Sequence, residues 1–100
     1  MAKIESVSFL IPPGWEEGGL LDTPGEKGID KTFGFNEYRQ AVRFATAVAD
    51  LADKRQHHPD ILLRYRKVKI VSSTHDAGGI TEKDLELAAE IDQLYNSLND

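Results

Sequence analysis

Three features of this 100-residue chain predict an α+β fold: a two-layer domain whose four-stranded antiparallel sheet carries two helices packed on one face. Two segments, one central and one C-terminal, repeat apolar residues at helical spacing. Short runs rich in β-branched and aromatic residues come before each of them, broken by glycine and proline. The resulting order, strand-strand-helix-strand-strand-helix, closes most simply as one sheet beneath both helices.

Residues 3–11 (KIESVSFLI) have a strand-like composition and stop at Pro12-Pro13-Gly14. Over residues 15–28 glycine is frequent. With Pro24 it predicts a strand or two broken by a long hairpin connection around Thr23-Pro24-Gly25. Ile29, Phe33 and Phe35 lead into the next strand, with the two phenylalanines on one face. Asn36 is the expected N-cap of the first helix. Its stripe of Tyr38, Ala41, Val42, Ala45, Val48, Ala49 and Ala52 runs to about residue 55, and the alanines let it lie close to a sheet. After Pro59, residues 61–65 and 68–71 read as strands that meet near Arg66-Lys67. Val68 and Ile70 share one face there, with Lys67 and Lys69 on the other. Gly78-Gly79 interrupts the chain. Thr81 with Asp84 then resembles a capping box, opening a helix whose stripe is Leu85, Ala88, Ile91, Leu94, Tyr95 and Leu98. The far face of the sheet, left bare in so small a domain, is expected to be apolar and to drive self-association.

Composition sets limits on function. Residues 1–100 form one domain with a single modest core, 40% apolar and 29% charged like an ordinary globular protein. No apolar run approaches the ~20 residues of a membrane span. Neither a signal peptide nor a cysteine is present, so cytoplasm is the expected compartment and thiolate chemistry is excluded. A formal charge of −5 argues against direct nucleic-acid binding. The one basic cluster, Arg64, Arg66, Lys67 and Lys69, reads as the wet face of a strand.

All three histidines fall in one span: His57-His58-Pro59 and then His75. An unperturbed imidazole titrates near pH ~6.5, so three that fold together can supply both an acid and a base. Pro59 holds His58 extended, which sends the two adjacent rings to opposite sides and makes joint chelation of one metal ion difficult. No His-x-His or His-x₃-His spacing is present either. Taken singly, each residue has a plainer role. Asp53 could be a solvated acid near a helix end, Asp84 a cap residue, His75 a surface histidine and Tyr65 a packing aromatic.

Together they form one pattern: Asp53, three residues, His57-His58-Pro59, five residues, Tyr65, nine residues, His75, eight residues, Asp84. From about Trp15 onward the chain resembles the pterin-4a-carbinolamine dehydratases. Phe33-Gly34-Phe35, Ser73-Thr74-His75 and Gly79-Ile80-Thr81 agree with that family as well. The resemblance implies dehydration of a 4a-hydroxy-tetrahydropterin, the 4a-carbinolamine, to quinonoid dihydropterin, with neither metal nor redox cofactor. It implies that His57, His58 and His75 are the acid–base and substrate-contacting groups, supported by Asp53 and Asp84. Pterin contacts would fall on Gln56, Pro59, Ser73, Thr74 and Asp76. It further implies a homodimer or homotetramer and a functional link to an aromatic amino acid hydroxylase. Pro12-Pro13 rules out the long helix that many members carry before the tryptophan, and the first hairpin looks longer than usual. The family fold is also used for protein binding, in a transcription-factor dimerisation cofactor and in assembly of the carboxysomal carbon-fixing enzyme. A binding module is therefore the alternative reading.

Overall fold

The computed structural model describes residues 10–19 and 25–98. Most of the expected 3–11 strand lies outside the described residues, and Leu10 and Ile11 enter a turn and bend. Four antiparallel strands follow one another as β1 (Glu16–Gly19), β2 (Lys27–Gly34), β3 (Asp60–Arg64) and β4 (Lys67–Ser72). They are arranged side by side as β1-β2-β4-β3. Helices α1 (Tyr38–Arg55) and α2 (Glu82–Leu98) complete the predicted order, with a single 3₁₀ turn over His75–Ala77 between β4 and α2. β1 falls in the glycine-rich stretch where a strand was expected ahead of the hairpin connection. It is held by its register on β2, Glu16 against Asp30 and Gly18 against Gly28. The β3–β4 hairpin turns at Tyr65-Arg66, one residue earlier than expected, since Arg64 pairs with Lys67.

One sheet face and both helices enclose the core. Ile29 and Phe33 of β2 stand beside Val68 and Ile70 of β4, and all four are buried. From α1 come Ala41, Phe44, Val48 and Ala52, and from α2 Leu87, Ala88 and Ile91. Phe44 and Leu87 lie beyond the stripes read from sequence; Tyr38, Val42 and Leu98 belong to those stripes but are exposed. Phe33 sits 4.8–5.9 Å, centroid to centroid, from Phe44, Tyr95 and Trp15. Tilted and edge-on ring pairs of this kind add to area burial. Trp15 also donates its indole N–H to Asp92, whose carboxylate pairs with Lys31 at 2.9 Å. That network ties the N-terminal segment and β2 to α2.

Three expectations need correction. The N-cap of α1 is Glu37, not Asn36. The Gln40 side chain turns back and accepts from the backbone N–H of both residues, at 3.0 and 3.1 Å, so the helix starts one position later. Tyr65 is not a packed aromatic: it is 72% exposed and stacks on the exposed ring of Tyr38. Nor is the open sheet face apolar. The register places Asp30, Thr32, Lys67, Lys69, Asp60 and Arg64 there, with Val71 and Leu62 as its apolar members. Strand alternation delivers the aliphatic residues to the helix side and leaves the charges facing out.

Candidate active site

The C-terminal end of α1 delivers the histidine pair. Gln56 adopts a left-handed conformation, φ 54°. His57 N–H then returns to Ala52 C=O at 3.1 Å and Gln56 N–H to Asp53 C=O at 3.2 Å. This pair of closing bonds usually has glycine at the left-handed position, and a non-glycine residue there carries some strain. The chain leaves the helix abruptly, and the two rings diverge as an extended pair should. His57 Nε2 donates to Asp84 Oδ1 at 2.7 Å, on the inner side. His58 Nε2 donates to Asp53 Oδ1 at 2.9 Å, on the outer side. Asp53 therefore partners His58, five residues on, rather than His57 one helical turn away.

On the opposite side, β4 ends at Ser72 and the chain passes through Ser73 and Thr74 into the 3₁₀ turn that carries His75. Gly78, at φ 73°, closes that turn by donating to His75 C=O, a conformation that would strain any side chain. His75 Nδ1 lies 2.8 Å from Glu26 Oε2, and Ser73 Oγ is 3.0 Å from the same oxygen. Glu26 precedes β2 and formed no part of the sequence pattern.

Asp84 is the anchor beneath the site. It is fully buried in the first turn of α2 and collects four donors. Oδ1 accepts from His57 Nε2 and from Ser72 Oγ (2.6 Å); Oδ2 accepts from Thr74 Oγ1 and Thr81 N–H, both at 2.8 Å. Thr81 Oγ1, 2.7 Å from Thr74 Oγ1, accepts from Lys83 N–H. Since Thr74 gives its one proton to Asp84, Thr81 must donate to Thr74, and the chain of protons is fully specified. A buried charge with this many donors is satisfied, and its place near the helix N-terminus is favourable. Asp84 is thus both the cap read from sequence and the support of His57.

These elements border a cleft of about 230 Å³ lined by Gln56, His57, His58, Ser73, Thr74, His75, Asp76 and Lys83. It gathers three imidazoles and four of the five expected pterin contacts; Pro59 is not among its lining residues. Lys83 was missed by sequence reading because a lysine in the first turn of a helix carries no signal of its own. A second cleft, of about 180 Å³, shares His57 and Lys83 with the first and is bordered by Arg55 and Glu90. Arg55 Nε donates to both Glu90 oxygens, at 2.9 and 3.0 Å. That hydrogen bond, and then the Glu90 charge, raise the guanidinium pKa above its already high ordinary value.

The fold and the cleft define a class first: a small α+β protein with an open pocket whose imidazoles are each backed by a carboxylate, as proton-transfer sites are. The profile described as pterin 4 alpha carbinolamine dehydratase matches residues 2–94, and the chain belongs to that family. A relative from Thermomicrobium roseum, provisionally named a pterin-4-alpha-carbinolamine dehydratase, is 42% identical over 94% of this chain and 98% of its own length. One from Chloroflexus aggregans under the same provisional name is 52% identical over 66% of this chain and 70% of its own. Among solved structures, a transcriptional coactivator/pterin dehydratase from Brucella melitensis superposes with a TM-score of 0.71 at 28% identity, covering 83% of each chain. A pterin dehydratase-like RuBisCO assembly factor of the alpha-carboxysome superposes at 0.67 and 26% identity, covering 82% of this chain and 89% of that one.

Proposed function

We propose that the protein is a 4a-hydroxytetrahydrobiopterin dehydratase, a hydro-lyase that recycles pterin in the cytoplasm downstream of an aromatic amino acid hydroxylase. One observation carries the reading. Three imidazoles meet at one cleft, each with one ring nitrogen on a carboxylate and the other, among the described residues, left over. Dehydration breaks the C4a–O bond, transfers the N5 proton to a base, protonates the departing hydroxyl and forms the N5=C4a double bond. His58 and His75, whose side chains are 65% and 66% exposed, exchange these protons. His57, held by Asp84, lines the same cleft and orients the ring. Gln56, Ser73, Thr74 and Asp76 supply polar contacts for a flat heterocycle. At about 230 Å³ the cleft is smaller than a drug-sized pocket of roughly 300–1,000 Å³, which suits one bicyclic ring with its tail outside.

We propose also that the chain assembles as a homodimer or homotetramer. Four exposed apolar side chains support this: Tyr38 stacks on Tyr65, Val42 lies one helical turn beyond Tyr38, and Leu63 two residues before Tyr65. The likeness to a RuBisCO assembly factor favours a second reading, a protein-binding module with an idle cleft.

The deciding assay follows quinonoid dihydropterin absorbance after hydroxylase turnover, with a chelator present. The purified protein should accelerate its appearance. His58→Ala and His75→Ala should each lower the rate by about 10²-fold or more, the scale of general acid–base assistance, with unchanged circular dichroism. A wild-type rate equal to the uncatalysed background refutes the enzyme and leaves the binding module.

A further inference from the structure

Glu26 has no role in the pattern that identifies the site, yet its carboxylate is buried to 9% exposure. A buried carboxylate is costly unless it is paired, and charged residues are seldom retained inside without a partner. Among the described residues, the groups within polar reach of Oε2 are the Ser73 hydroxyl and His75 Nδ1. Ser73 Oγ has one proton and three acceptors nearby: Glu26, Lys27 C=O and Gly79 C=O. The charged oxygen is the strongest of these, so the hydroxyl is drawn to Glu26.

We infer that Glu26 is the positioning residue of His75: it holds the ring in the Nδ1–H form and so presents Nε2 to the cleft as a proton acceptor. An ionised carboxylate can only accept. At 2.8 Å an unprotonated Nδ1 would set a lone pair against the oxygen's, so Nδ1 must carry the proton. In the neutral ring, Nε2 is then the free acceptor. His57 and His58 have the opposite arrangement, since both meet their carboxylates through Nε2. Among the described residues, the site thus contains two rings with a free Nδ1 and one with a free Nε2, and Glu26 makes the difference. It reaches His75 from the start of β2, across the β2–β4 pairing. Its side chain is thereby fixed by the sheet, while His75 sits on a three-residue turn and needs an external hold. The catalytic consequence rests on the dehydratase reading; the tautomer does not.

The test uses the full-length protein with ¹⁵N-labelled histidine. Ring-nitrogen chemical shifts should show His75 predominantly Nδ1–H in the wild type and shifted towards Nε2–H in Glu26→Ala. Glu26→Gln, which keeps the shape and an acceptor oxygen, should fall between them. In the active enzyme, Glu26→Ala should lower kcat about 10- to 100-fold with little change in KM, the scale for an outer partner that orients an imidazole, and Glu26→Gln should restore part of the loss. An unchanged His75 tautomer in Glu26→Ala, or a shifted tautomer with wild-type kcat, would overturn the assignment. A wild type without dehydratase activity whose His75 spectrum still depends on Glu26 would sink the proposed reaction and support the positioning role.

Discussion

Replacing Asp84 with alanine should come close to unfolding the protein, and the size of the effect follows from its partners. Four donors converge on the carboxylate: His57 Nε2, Ser72 Oγ, Thr74 Oγ1 and Thr81 N–H. The two hydroxyls can rotate towards other acceptors, whereas the Thr81 amide and the His57 ring point in fixed directions. A buried donor left without a partner costs about 1–3 kcal/mol, so two of them give about 2–6 kcal/mol. A domain this small loses about 4–8 °C per kcal/mol, which sets the expected fall in Tm at roughly 10–50 °C. Against a typical stability of about 5–15 kcal/mol that is a large fraction. Asp84→Asn separates charge from shape. Its amide oxygen can serve Thr81 and Thr74, but its NH₂ then faces Ser72, which can accept, and His57, which must change tautomer to do so. The asparagine variant should therefore melt well above the alanine variant yet lose activity. Thermal unfolding at one fixed protein concentration reads the first effect and the pterin assay the second. A Tm for Asp84→Ala within about 3 °C of wild type would refute the reasoning, because it would mean less than about 1 kcal/mol rests on the carboxylate.

Two further outcomes can be checked with the same material. Phe33→Ala should lose about 3–5 kcal/mol, measured by urea or thermal unfolding, since the ring is buried among Trp15, Phe44 and Tyr95. Light scattering behind a sizing column at micromolar concentration should return a multiple of the 11.1 kDa chain mass; a single-chain mass would exclude the homo-oligomer.

Both helices and β4 were legible in the sequence because periodicity is a property of consecutive residues, and packing against one sheet face selects the residues that carry it. β1 was legible only as a strand somewhere within residues 15–28, because Glu16-Glu17-Gly18-Gly19 contains no strand-favouring side chain and its bounds are set by pairing with β2. The open sheet face was misjudged although Lys67 and Lys69 had already been placed on it; what was missing was the register that sets Asp30 and Thr32 beside them. In the cleft, the histidines and Asp84 could be found because their spacing is local to the second half of the chain. Asp53 was found too, but not which ring it meets, since the left-handed turn at Gln56 decides which imidazole swings back to the helix. Glu26 left no trace. It reaches His75 through strand pairing between distant segments, and a single acid in a glycine-rich stretch looks like any other.

Asp84 fastens the start of α2, the end of β4 and His57 with one carboxylate, whereas His58 and His75 stand largely in solvent and, among the described residues, each meet a single carboxylate. The two kinds of residue are exposed to different selection. A lineage that no longer needs the reaction can discard either outer imidazole in a single step and keep a well-folded scaffold; discarding the carboxylate would cost it the scaffold too. Descendants that turn the fold to other ends should therefore shed the outer histidines early and keep the buried acid, because the fold itself depends on it.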